Sequence, residues 1–228
     1  MDFTFGIITA GNNDKLINEI IDSIELENIP NYEILIMGNS TIDKHNTKII
    51  PFDETIKNGW ITKKKNIITQ NSKFENIVFM HDYIKLTPGW YEGQIISGND
   101  FNIRMDKIID YNGIRYRDWV CWCHNPNSHF NNLIGRDCLI PYDMIHLSKY
   151  MYISGAYWVA KKSIMLELPL NENLSWGQGE DIEFSFRYRE KYTFKMNEHS
   201  TVKLIKDGKD RVFNEPNEEK IQLLKNFK

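Results

Sequence analysis

Phe3-Thr4-Phe5-Gly6-Ile7-Ile8-Thr9 is an apolar run that stops at Ala10-Gly11-Asn12-Asn13. A run of this length bounded by turn formers reads as a buried strand entering a turn. Behind the turn, Asp14 is placed to cap a helix in which Leu16, Ile17, Ile20, Ile21 and Ile24 recur at helical spacing. Asn28 to Asn31, with Pro30, ends that helix. Tyr32 to Met37 is a second apolar strand, closed by Gly38-Asn39-Ser40. Further out, Lys48 to Phe52 reads as a short third strand and Trp60 to Thr69 as a helix. Ile77 to Met80 reads as another buried strand, ending at His81-Asp82-Tyr83. Strands alternating with helices predict an α/β domain with a mostly parallel sheet flanked by helices. In open sheets of that kind ligands bind outside the carboxyl ends of the strands. Three polar clusters, Thr9 to Asn12, Gly38 to Ser40 and His81 to Tyr83, fall at such ends. Any one of them reads as a turn. Three along one edge predict a site.

The pattern weakens after Pro88-Gly89-Trp90. Phe101 to Tyr150 has little periodicity and reads as short strands around a long excursion. Tyr152 to Ala160 reads as a strand containing Ser154-Gly155-Ala156, and Ser163 to Leu168 as a short helix. Ile182 to Lys191 carries Ile182, Phe184, Phe186 and Tyr188 at strand spacing. The acidic pair before it and Arg187, Arg189 and Lys191 toward its end predict a helix instead. Thr193 to Met196 reads as a strand followed by Asn197-Glu198-His199. Glu215 to Phe227, with Ile221, Leu224 and Phe227 in a stripe, reads as a terminal helix. No internal repeat or low-complexity tract is present.

The 228 residues suffice for one domain with a sizeable core. A net charge of -3 gives no basic excess that would point to nucleic acid. The opening residues lack the basic and apolar regions of a signal peptide. No stretch approaches the ~18 apolar residues of a membrane span. Three cysteines, Cys121, Cys123 and Cys138, are too few and odd in number for a disulfide framework, so a cytoplasmic location is expected. Cys121-Trp122-Cys123-His124 lacks the second ligand pair and the spacing of a structural zinc site.

From Phe3 to about His199 the order of elements resembles the glycosyltransferase family 2 type of GT-A domain, least closely between Phe101 and Tyr150. The resemblance implies a single GT-A catalytic domain over 1–228. Residues 1–100 would be the nucleotide-binding half, 101–200 the acceptor and catalytic half, and 201–228 a tail. The first strand and its turn resemble the family's nucleotide-holding segment, which implies donor contacts at Thr9, Ala10 and Asn12. Tyr32 to Ser40 resembles the second strand, with Asn39 where the family usually has Asp; an amide can still hydrogen-bond a uracil or ribose. Lys65-Asn66 resembles the family's basic residue followed by Asn. A lysine there would neutralise a diphosphate. Read from the residues alone, Lys63, Lys64 and Lys65 equally form a solvated helix face.

Phe79 to Ile84, then Pro88-Gly89-Trp90, resembles the metal-binding DXD region. His81 and Tyr83 occupy the positions where the pattern places acids, so the acid remaining is Asp82. The resemblance implies a divalent ion on Asp82, with His81 and Tyr83 near the donor. It also implies that His199, after a late strand, is the family's C-terminal histidine ligand; a lone His also serves structural roles. An imidazole ligand suits Mn²⁺ better than Mg²⁺. The most specific likeness is Trp176-Gly177-Gln178-Gly179-Glu180-Asp181. It is similar to the Trp-Gly-x-Gly-Glu-Asp segment beside the acceptor site of inverting galactosyltransferase-like enzymes. It implies that Asp181 is the catalytic base, that Glu180 contacts a sugar, and that Trp176 and Gly179 face the bound sugar. Glu180 and Asp181 also suit a plain helix N-terminus. Gly155 and Ala156 resemble the small-residue strand beside the donor sugar.

The resemblance therefore implies a metal-dependent transferase. It would move a hexose from a UDP-sugar donor to a carbohydrate or other hydroxyl acceptor, with inversion. A retaining transferase shares every donor motif. A nucleotidyltransferase would want a Gly-rich phosphate loop, which Ala10-Gly11-Asn12 matches poorly. A non-catalytic sugar- or nucleotide-binding module is the alternative outside catalysis.

Overall fold

The computed structural model describes residues 1–121, 138–206 and 215–226. Every residue of β1 (Phe3–Ile8) is buried, because the strand is covered on both faces. Phe3 and Phe5 meet the ring of Trp90 on one side. On the other, Gly6 lies so close to Ile68 that a Cβ would stand 2.5 Å from its Cγ2. Covered strands of this kind read as continuous apolar runs rather than alternating ones, which is why the first, second and fourth strands are legible.

The chain continues through α1 (Asp14–Glu25), β2 (Tyr32–Met37), β3 (Thr47–Ile50), α2 (Ile61–Asn71), β4 (Asn76–His81), β5 (Ile84–Leu86) and α3 (Trp90–Ser97). Then come β6 (Ile103–Ile109), β7 (Val120–Cys121), β8 (Cys138–Leu139), a 3-10 turn at Ile145–Tyr150 and β9 (Met151–Tyr152). β10 (Tyr157–Lys161), α4 (Lys162–Glu167), α5 (Glu180–Arg189), β11 (Lys195–Leu204) and α6 (Glu218–Lys225) complete it. One eight-stranded sheet runs β3-β2-β1-β4-β10-β6-β11-β5, and β8-β7-β9 form a small second sheet. In the large sheet β10 and β5 run against the other six strands. The carboxyl ends of β1, β2 and β4 therefore share one edge with the start of β10. No helix among the described residues is long and apolar enough to cross a membrane.

Four expectations change. The residue before the first helix is Asn13, and Asp14 makes no cap. Its carboxylate instead accepts from Ser40 and Thr41, tying the start of α1 to the end of β2. The third strand lies a residue or two earlier than Lys48 to Phe52. Tyr152 to Ala160 is not one strand: residues 153–156 separate β9 from β10, and the Ala156 carbonyl accepts the His81 N–H at 3.0 Å. The strand expected over Thr193 to Met196 does not end before Asn197-Glu198-His199: β11 runs through them, with an irregularity inside it. The register shifts there between Asn197 and Thr201, and Asn197 donates to the buried Asp106 at 2.8 Å. Phe227 of the expected terminal stripe lies outside the described residues.

Gly38, at the end of β2, has φ +135° and sits where a Cβ would stand 2.2 Å from the Thr9 carbonyl oxygen. Gly113 has φ +85° with nothing within 4 Å. Gly38→Ala should therefore lose roughly 1–3 kcal/mol more stability than Gly113→Ala, the cost of overpacking beyond shared backbone strain. Denaturant melts of the two variants check this. Equal losses would mean that the Gly38 backbone has room to move from Thr9.

Candidate active site

At the shared edge, Asp82 is buried at 8% exposure. Its Oδ2 accepts from Thr9 Oγ1 at 2.7 Å and from Asn13 Nδ2 at 2.6 Å. Its N–H donates to the Ile8 carbonyl at 3.1 Å. The end of β4 and the turn after β1 are thus one unit. Ala10, Asn12 and Asn39 are exposed around it. A Cβ on Gly11 would stand 3.5 Å from the Asn39 carbonyl oxygen, so two of the three polar clusters meet. The third joins them through Asp82. His81 stacks edge-on against Tyr83. Its Nε2 is buried without a hydrogen-bond partner among the described residues. Burial, then the charges of Lys65 and Lys64, push the imidazole pKa down to about 3, so the ring is neutral.

One oxygen of Asp82 is already held by two protein donors. Among the described residues no three His, Cys, Asp or Glu side chains are grouped to hold a metal. His199 does not join Asp82. The chain leaving β11 reaches the site edge at Ile205, whose N–H donates to the Tyr83 carbonyl at 2.9 Å. His199 lies well back along the strand, with its backbone against Gly93 of α3. Of Cys121-Trp122-Cys123-His124, the last three residues lie outside the described ones.

The three lysines of α2 part company. Lys63 stays half exposed and pairs with Glu172 at 2.9 Å. Lys64 is buried, pairs with Glu54 and donates to the Thr9 carbonyl at 2.7 Å. Lys65 is buried, donates to the Gly155 carbonyl at 2.7 Å and lies 4.0 Å over the Trp158 ring. Neither belongs to a solvated face. Burial lowers the Lys65 pKa to about 7, against the pull of Glu180 and Asp181.

The acidic pair opens α5. Upstream, α2 grips the preceding loop: Thr62 donates to the Leu174 carbonyl, Asn66 to that of Leu170, and Trp60 Nε1 to that of Glu172. Trp176, 69% exposed, donates its N–H to the Gly59 carbonyl at 2.9 Å. Gly177 and Gly179 take φ +77° and +73°, the left-handed turns that swing the chain into α5. Asp181 Oδ2 then accepts from the Gly155 N–H at 3.2 Å and from Arg117 Nη2 at 3.1 Å. Burial, then the neighbouring Asp181, push the Glu180 carboxyl above its ordinary value.

Of the expected site residues, the structure brings together Thr9, Asp82, His81, Tyr83, Lys65, Gly155, Ala156, Glu180 and Asp181. Trp176 and Gly179 flank the pair. Lys64, Asn13 and Arg117 were not anticipated. Lys64 had a signal: Ile61, Lys64, Lys65 and Ile68 follow the i, i+3, i+4, i+7 spacing of a buried helix face. Arg117 sits in the aperiodic stretch and had none.

The large sheet and its helices form the fold of GT-A glycosyltransferases. The structure of GalNAc-T7 with UDP, GalNAc and Mn²⁺ matches with a TM-score of 0.67 at 12% identity, over 92% of this chain and 44% of that one. S. aureus TarS 1–349 in complex with UDP-GlcNAc matches with a TM-score of 0.58 at 13% identity, over 98% of this chain and 65% of that one. The same TarS fragment with UDP matches at 0.57 and 13% identity, over 90% and 61%. This chain thus spans from under half to about two thirds of theirs. At such identities the likeness is one of fold. No protein-family model and no curated protein matches the chain.

Two measurements test the site. Lys65 has a folded pKa of about 7 against an ordinary 10.5, so between those values the unfolded chain binds more protons and stability rises with pH. The stability of the wild type relative to Lys65→Met should therefore increase from about pH 7 to about pH 10. A pH-independent difference would place Lys65 in water. Asp82→Ala should cost about 1–3 kcal/mol by stripping Thr9 and Asn13 of their acceptor, which denaturant melts check.

Proposed function

We propose that this domain transfers a hexose from a UDP-sugar to a hydroxyl of a carbohydrate or other acceptor, with inversion at the anomeric carbon. One observation carries the reading. Two buried carboxyl groups, Glu180 and Asp181, and a buried lysine, Lys65, converge on the 155–156 turn, beside the edge where Thr9, Asn39 and Asp82 meet. The solved structures of the same fold hold UDP and UDP-GlcNAc, which supports a UDP-sugar donor here.

In this reading Thr9, Ala10, Asn12 and Asn39 cradle the nucleotide. Lys64 and Lys65 are the cations built into the edge, suited to a diphosphate. The Gly155-Ala156 turn lets backbone approach the donor sugar, and Trp176 offers an apolar face to a pyranose. The carboxylate pair supplies the base that an acceptor hydroxyl needs before it attacks. GalNAc-T7 was determined with Mn²⁺. A Mn²⁺ or Mg²⁺ ion here would find in Asp82 a single carboxylate and no ligand cluster among the described residues. No step is assigned to it. That incomplete set is also the observation favouring a non-catalytic binding module.

Thermal unfolding with UDP, UDP-GlcNAc and UDP-GalNAc, against GDP and CMP, tests the donor. Ligand at a hundredfold its Kd adds about 2.7 kcal/mol to stability, so UDP should raise the melting temperature and GDP and CMP should not. The anomeric form of the product then separates inversion from retention. Binding without UDP release across a panel of free hexoses favours the binding module. No shift with any nucleoside diphosphate removes the donor reading.

A further inference from the structure

Glu180 and Asp181 are neighbours on the first turn of α5, but their oxygens differ in what they hold. Asp181 accepts three hydrogen bonds. Its Oδ2 accepts from the Gly155 N–H at 3.2 Å and from Arg117 Nη2 at 3.1 Å, and its Oδ1 accepts from the Ile182 N–H at 2.9 Å. Glu180 accepts only from its own backbone N–H, and no other described residue donates to it. Both stand over the same spot: a Cβ on Gly155 would lie 3.3 Å from Glu180 Oε1 and 3.2 Å from Asp181 Oδ2.

A general base needs an open lone pair aimed at the proton it takes. For Asp181 to receive a proton on Oδ2 it must release Arg117 or the Gly155 N–H, and losing the second frees the turn beside the donor; Oδ1, bonded to the Ile182 N–H, keeps one open lone pair, fewer than Glu180 offers. Glu180 gives up nothing. We propose that Glu180, not Asp181, accepts the proton of the attacking hydroxyl, and that Asp181 is a positioning residue holding Gly155 and Arg117 in place. The proposal rests on the transferase reading above and departs from the role that the sequence resemblance gives Asp181.

The step balances without any further reactant. The acceptor oxygen forms a bond to the anomeric carbon as that carbon's bond to the diphosphate oxygen breaks. The electron pair of the broken bond stays on the diphosphate. The acceptor proton passes to Glu180, which returns it to water once the product has left. The charged groups facing Glu180 are Lys65 from α2, Arg117 from the segment before β7, and Asp181 on its own helix. Burial and Asp181 raise its proton affinity, and Lys65 and Arg117 oppose them.

The test is UDP release by the full chain, with UDP-GlcNAc, UDP-GalNAc and UDP-Gal as donors and water and free hexoses as hydroxyl probes. Glu180→Gln should lower kcat by about 10²–10⁴-fold, the range for a general base, with UDP affinity unchanged and the acid limb of the pH–rate profile abolished. Glu180→Asp should restore part of the rate together with the limb. Asp181→Asn should keep the acid limb while raising the donor KM, and Arg117→Met should resemble it. If Asp181→Asn abolishes the limb and Glu180→Gln keeps it, the assignment is overturned and the transferase reading stands. If no UDP-sugar binds or releases UDP, both fall together. Circular dichroism and UDP affinity keep each variant's fold in view.

Discussion

The peptide of Gly155 is held from both sides. Its carbonyl accepts the Lys65 ammonium at 2.7 Å, and its N–H donates to the Asp181 carboxylate at 3.2 Å. One residue on, the Ala156 carbonyl takes the His81 N–H at 3.0 Å. A single dipeptide thus joins α2, α5, β4 and the start of β10. Lys65 is nearly inaccessible, and an ammonium taken from water costs several kcal/mol unless it is compensated. Glu180, Asp181 and the face of Trp158 supply part of that compensation, and the burial that remains uncompensated lowers the Lys65 pKa. The acidic pair gains in turn from the N-terminal end of α5. The charges are interdependent: removing one leaves another buried and unpaired, so the cluster behaves as a unit rather than as separate contacts.

The turn is anchored from the opposite face of the sheet as well. Successive strand residues point to opposite sides, so Trp158 lies under Lys65 while Tyr157 points away. The Tyr157 hydroxyl bonds to Asp106 and accepts from Trp90 Nε1 at 2.9 Å. Asp106 also accepts from Trp90, Gln94 and Asn197. Burial raises its pKa, and the nearby Arg104 opposes that rise. A buried carboxyl group with this many donors fixes β6, β10, β11 and α3 in one arrangement. The irregularity in β11 belongs to it, since the Asn197 amide reaches Asp106 from that point.

The parts legible in the sequence are those whose burial is set by local pattern. The strands ending at Thr9, Gly38 and His81 read as apolar runs because both faces are covered, and α1 reads from its isoleucines. The three polar clusters could be placed on one edge because parallel strands share their carboxyl ends. What could not be read was set by tertiary contacts. Small residues at 154–156 look strand-like until Asp181 and Lys65 pull them into a turn. Lys64 and Lys65 look solvated by residue type, although their spacing with Ile61 and Ile68 marks a buried face. His199 follows a strand-like stretch, but the strand runs on through it for several more residues, and that continuation separates it from Asp82. Arg117 lies in a stretch without periodicity, where only the folded chain shows what it meets.

A helix turns about 100° per residue, so Lys64 and Lys65 leave α2 in different directions, one to the Thr9 carbonyl and the other to that of Gly155. On the same helix Thr62 and Asn66 hold the loop that leads to Glu180. α2 therefore sets the distance between the sheet edge at Thr9 and the carboxylate pair, because a rigid helix cannot move one attachment without the others. A substitution that tilts α2 must disturb both together. Separating them requires freedom downstream of the clamp, at Gly177 and Gly179, whose left-handed backbone connects the held loop to α5. Backbone freedom is greatest at glycine, so the geometry places the adjustable part of the site immediately before its acidic pair and leaves the sheet edge at Thr9 fixed.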